Sequence, residues 1–198
     1  MEKRRAKLEA KFQTHNFLWI DLEDIWKRMG DRQTTDHGLF TAALVLLSSC
    51  LEAHANFLGA SAFPDQWTKI RDYLRTAPRR GVVGRVDYLA ELLGVHLDRS
   101  QDPFAALVEL ERRRHQLVHP ELEVIEKVVE FVDAATLEPP DTAYYEIASP
   151  EFLSRARKSV EAVSSALQKA AFEKFPRRVF GDHPFSGVLG MRGISIES

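Results

Sequence analysis

The segment from residue 39 to residue 59 constrains this chain more than any other. Its uncharged run Gly38–Leu51 carries Phe40, Leu44, Val45, Leu46, Leu47, Cys50 and Leu51, which fall on every side of a helix rather than along one stripe. A helix that is apolar all round has to be covered on several sides, so other helices must surround it. Candidates lie before and after it. Leu8, Phe12, Trp19, Leu22, Trp26 and Met29 recur at helical steps across residues 3–29, with an interruption at His15 and a stop before Gly30. Asp65–Arg75 and Arg85–Leu93 read as two shorter helices separated by a Pro78–Gly84 loop, and residues 103–118 and 151–175 as two longer ones. The expected fold is all-α. It is an up-and-down bundle of about four core helices (39–59, 85–93, 103–118 and 151–175), with an extra N-terminal helix and an irregular C-terminal tail.

This divides the chain into an N-terminal helix over 1–30, acting as an appendage or a dimerisation element, a bundle over 31–175, and a tail over 176–198 punctuated by Gly181, Gly187, Gly190 and Gly193. Leu122–Val132 suits a strand by its Val and Ile content and a helix by its spacing. Glu138–Pro150, with three prolines, reads as a loop.

Composition narrows the function classes. A net charge of −2, with 28% charged residues, supplies no global field for nucleic acid or anionic lipid, so any such contact must come from a local patch. The single cysteine, Cys50, excludes an internal disulfide framework and fits a reducing compartment. The N-terminus mixes acidic and basic residues without an apolar core, unlike a signal peptide. The Gly38–Leu51 run falls short of the roughly 20 residues that a membrane span requires. The expectation is a soluble, cytoplasmic protein without a membrane partner.

The chemistry concentrates at the end of helix 103–118. Asp102 is a candidate N-cap and Pro103 suits the first helical position. Phe104, Leu107, Val108 and Leu110 supply the apolar side, and Pro120 ends the helix by excluding helical angles from the residue before it. Arg112, Arg113, Arg114, His115 and His119 are thereby crowded into the last turns. Cations suit a helix C-terminus, yet simple capping does not call for two titratable imidazoles. An arginine offers a permanent planar fork for phosphate oxygens, and a histidine can take or give a proton near neutral pH.

Arg114, His115 and His119, followed by Pro120 in a Leu117–Pro120 stretch reading Leu-Val-His-Pro, resemble the signature of the HEPN superfamily of small helical bundles. The signature is an arginine, a polar residue, and a histidine after a gap of four to six. Leu51–Leu58 is similar to the long first-half helix of those bundles, and the resemblance covers roughly Leu39–Ala171. His115 departs from it, since asparagine is more usual there. The resemblance implies metal-independent RNA cleavage with the ribose 2′-hydroxyl as nucleophile and no cofactor, in a toxin or RNA-processing setting. His119 would be the acid/base, Arg114 the phosphate clamp, and His115 a positioning or second titrating group. It also implies a homodimer that brings the motifs together, with RNA as substrate and an antitoxin or other partner protein. On a straight helix His115 and His119 lie about 40° apart and Arg114 and His119 about 140° apart. Either the helix end unwinds at His119, or a second chain supplies the missing group.

Other residues bear on that site. Ser48, Glu52 and Asn56 form a polar line on helix 39–59. Glu52 and Asn56 are expected either to orient the motif from behind or to mark the solvent edge of the helix. Glu111 belongs to the same supporting set; alternatively it pairs with Arg114, or joins His115 and His119 as a zinc ligand at i, i+4, i+8 spacing. The expectation is no metal. Arg113, Arg79 and Arg80 are candidates for phosphate contact, the latter two within a basic patch (Arg71, Arg75, Arg79, Arg80, Arg85) that otherwise reads as a solvated face. A non-catalytic HEPN-like module for interaction or dimerisation is the competing functional class.

Overall fold

A computed structural model describes residues 6–31, 36–76, 80–119, 144–179, 181, 183–185 and 190–196. Around the central helix α2 (His37–Ala62) the chain arranges α1 (Thr14–Asp31), α3 (Trp67–Thr76), α4 (Gly81–Leu93), α5 (Phe104–Val118), the single turn α6 (Tyr144–Ile147) and α7 (Pro150–Lys174). The architecture is an all-α helical bundle, and α2 packs on α1, α3, α4, α5 and α7. Asp36 starts α2 by accepting the Gly38 N–H at 3.0 Å. Leu44, Leu47, Cys50, Leu51, Ala55 and Leu58 are buried, as an all-round apolar helix requires. Close helix packing is visible at Gly59, where a Cβ would stand 2.3 Å from the Trp67 ring of α3.

α2 is longer than the uncharged run that marks it. By length and composition it could cross a membrane, with mean hydropathy 1.5 over an 18-residue window, but half of that window is buried inside the bundle. Among the described residues no other helix reaches that length and hydropathy.

Several boundaries differ from the sequence reading for physical reasons. Residues 6–12 are not helical. They form β1 (Ala6–Phe12), antiparallel to β2 (Gly190–Ile196) in the tail, with Leu8 opposite Ile194 and Phe12 opposite Gly190. The helix starts at Thr14, where the apolar stripe is interrupted at His15, and the two-residue alternation of Ala6, Leu8, Ala10 and Phe12 with Lys7, Glu9 and Lys11 was the strand signal. The tail is accordingly not irregular throughout. α1 is no appendage either, since Trp19 and Leu22 lie in the common core. α4 begins inside the expected Pro78–Gly84 loop, at Gly81, and α7 begins at Pro150, the last residue of the expected Glu138–Pro150 loop; α6 interrupts that loop as well. Pro103, expected at the first helical position, holds the N-cap position of α5 in place of Asp102. Arg155 of α7 donates to both Asp102 oxygens at 2.7 and 2.8 Å, and this pairing holds the Asp102 carboxyl below the usual carboxylate range, with the Ala106 backbone a lesser contributor. Leu122–Val132 lies outside the described residues.

Candidate functional site

Glu109, one turn before the arginines of α5, organises two of them. Arg112 reaches both its oxygens, Nη2 to Oε1 at 2.6 Å and Nε to Oε2 at 2.8 Å, and donates to Gln116 at 3.0 Å. Arg113 Nε adds a 2.6 Å bond to the same carboxylate. Arg112 first, and Arg113 with it, hold the Glu109 carboxyl down at about 2. Arg113 also closes the end of α6, donating to the Glu146 and Ile147 carbonyls at 2.6 and 2.9 Å, and its guanidinium lies 4.0 Å from the Phe152 ring centroid. These are structural duties. They leave Arg113 poorly suited to the phosphate contact expected of it.

Arg114 differs from both. It is half-buried, and among the described residues no carboxylate pairs with it. The helix then persists to Val118, and His119 N–H still bonds the His115 carbonyl at 2.9 Å before the backbone leaves helical angles at φ −127, ψ 66. The His119 ring therefore meets His115, with centroids 4.8 Å apart and planes inclined at 46°. Both imidazoles are exposed. Val108, on the same strip as Arg112, His115 and His119 by helical spacing, is also exposed, as is Val118 at the helix end. An unpaired guanidinium and two adjacent imidazoles on an open surface can bind an anion and exchange protons with it.

The supporting residues belong elsewhere. Glu111 does not pair with Arg114. Its Oε1 accepts Val82 N–H at 2.9 Å and its Oε2 accepts Val83 N–H at 3.2 Å, which caps α4 from a different helix. With both oxygens engaged there, Glu111 is a poor third metal ligand for His115 and His119; among the described residues no three His, Cys, Asp or Glu side chains are grouped as a metal site. Glu52 and Asn56 face Arg85 of α4, whose Nη1 lies 2.7 Å from Glu52 Oε1 and 3.5 Å from Asn56 Oδ1. Neither a link to Arg114 nor a bare solvent edge describes them.

The expected basic patch is similarly dispersed. Arg85 is neutralised by Glu52, and Arg75 lies 3.7 Å from Asp72. Arg79 lies outside the described residues. Arg80 is exposed at the start of α4, and it adjoins Gly81, whose backbone sits against Glu111. Arg80 is thus the residue of that group brought next to α5. His15 and His54, outside the candidate site, are buried together beneath the tail; an interruption in an apolar stripe and an isolated histidine on an apolar helix gave no indication that they would meet.

No protein-family model, curated protein or solved structure matches this chain.

Proposed function

We propose that this protein is a HEPN-like, metal-independent endoribonuclease of the toxin or RNA-processing type, acting as a cytoplasmic homodimer. One observation carries the reading. Of three consecutive arginines, Arg112 and Arg113 share the Glu109 carboxylate, while Arg114 has no carboxylate partner among the described residues, on the same helix end as two exposed, mutually adjacent imidazoles.

In the proposed reaction Arg114 grips a phosphodiester by two oxygens and offsets the charge that builds on phosphorus. One imidazole, His119, takes the proton of the 2′-hydroxyl as its oxygen bonds to phosphorus. The second, His115, protonates the departing 5′-oxygen, leaving a 2′,3′-cyclic phosphate and a 5′-hydroxyl. Arg80 is available for a neighbouring phosphate. The helical continuity through Val118 favours the composite arrangement, in which one subunit's Arg114 works with its partner's histidines. Exposed Val108 and Val118 supply apolar surface for that contact. The same surface also suits the non-catalytic reading, a docking face for an antitoxin or other partner protein.

Incubating the wild-type protein with mixed-sequence RNA in chelator separates the two. Cleavage to cyclic-phosphate ends, lost in His119→Ala, supports the nuclease. A dimeric wild type, free of bound protein and inert toward several RNAs, sinks it.

A further inference from the structure

A second group of polar residues, independent of the motif, lies where α1, α2 and α7 meet the tail. His15 and His54 are 1% and 0% exposed, and their ring centroids are 5.2 Å apart, edge to face at 67°. The proton positions follow from their partners. Gln168 of α7 donates its Nε2 to the Gly181 carbonyl at 3.0 Å, which turns its Oε1 toward His54 Nε2 at 3.1 Å. An amide oxygen only accepts, so His54 carries its proton on Nε2. His15 hydrogen-bonds the backbone of Pro184, which has no N–H, so there too the ring is the donor. In both rings Nδ1 is buried with no hydrogen-bond partner among the described residues. Phe185 covers the pair, with its centroid 6.2 Å from His15 and 5.8 Å from His54, and stacks on Trp19 at 4.0 Å.

We propose that the tail residues Gly181, Pro184 and Phe185 form an acid-released latch, which stays closed over the His15–His54 pair only while both rings are neutral. In the closed state each bare Nδ1 is a proton acceptor with no anion to receive it. The groups facing the rings are the other histidine, Phe57 of α2, the neutral Gln168 of α7 and the carbonyl of Pro184 in the tail; among the described residues no carboxylate acts on either ring. Protonating one ring buries an uncompensated cation, and protonating both places two like charges in contact. Opening the tail admits water to the rings.

Burial therefore pushes His15 down to about 4 and His54 to about 3 from 6.5, the latter helped by the neighbouring His15. The closed form has the lower pKa values, so it is fully favoured above 6.5 and loses ground as pH falls toward them. With two linked protons the open-to-closed ratio rises about a thousandfold between pH 7.5 and pH 5, approaching about a hundredfold per pH unit.

Amide hydrogen exchange on the intact protein, corrected for the intrinsic rate at each pH, tests this. Protection at Phe185 is expected to fall about a thousandfold from pH 7.5 to 5 while α2 and α7 amides stay protected. His15→Phe, which keeps an aromatic ring, should reduce the dependence from two protons to one, and H15F/H54F should abolish it. If the double variant fails to fold, the single-variant slope still decides. Protection that is flat with pH, a slope unchanged in H15F, or an equal loss in the core helices would overturn the latch.

Discussion

The Glu111 carboxylate accepts the Val82 N–H at 2.9 Å, so the helix that carries the arginine–histidine motif also caps the helix preceding it in the fold. A carboxylate at a helix N-terminus satisfies orphan donors and complements the dipole. Its approach needs a residue without a side chain at Gly81, where φ is +90 and a Cβ would stand 1.9 Å from Glu111 Oε1. Glu111→Ala should cost about 0.5–2 kcal/mol in urea unfolding. Gly81→Ala should cost more, about 2 kcal/mol or above, because strain and collision add to the loss of the cap. Equal stability of wild type and both variants would remove this inter-helix cap from the account.

The three arginines should separate in a stability-against-activity comparison. Arg113→Ala strands the Glu146 and Ile147 carbonyls and uncovers Phe152, and should lower stability by about 1–3 kcal/mol. Arg114→Ala should stay within about 0.5 kcal/mol of wild type. On the proposed mechanism it should nevertheless lose about 10²–10⁴ in RNA cleavage rate, with poor rescue by Arg114→Lys. Melting curves beside cleavage assays read both quantities.

A composite site makes a stronger demand. Arg114→Ala and His119→Ala proteins, each inactive, should regain activity when unfolded together and refolded, because a mixed dimer retains one intact pairing. The interface should bury more than about 1,000 Å². A monomer in sedimentation at tens of micromolar, judged against that figure, would end the composite reading.

Chelation addresses the metal alternative. With Glu111 engaged at α4, cleavage is expected to survive EDTA and to gain nothing from added zinc. Activity that disappears with EDTA and returns with a divalent ion would make His115 and His119 metal ligands.

Glu109 gives a pH signature within the motif helix. Its carboxyl is held at about 2 against an ordinary 4.5, chiefly by Arg112. A depressed carboxylate stabilises the fold fully above 4.5, and that contribution is lost as pH falls toward 2. Carboxyl NMR should place the midpoint well below other glutamates, and Arg112→Ala should raise it. An unshifted midpoint would show that the pairing of Glu109 with two arginines does not persist in solution.

What the sequence determined by itself was everything carried by local periodicity. The all-round apolar character of residues 39–59 demanded a covered helix, and Leu44, Leu47, Leu51 and Leu58 are buried as a result. The spacing of Phe104, Leu107 and Leu110 put the motif at the end of a helix, and three- to four-residue periodicity placed His115 beside His119. Tertiary structure decided whatever depends on a partner distant in sequence. The β1–β2 pairing overrode a helical reading of residues 6–12, because a strand needs its neighbour and that neighbour lies at the other end of the chain. A carboxylate on α5 started α4 earlier than its own residues suggested. Glu52 and Asn56 turned to Arg85, and Glu109 took two of three identical side chains, leaving Arg114 as the guanidinium without a carboxylate among the described residues. Periodicity fixes which face a residue occupies. Which charge meets which is fixed by how helices pack, and that is where the surroundings of Arg114 and the buried histidine pair were decided.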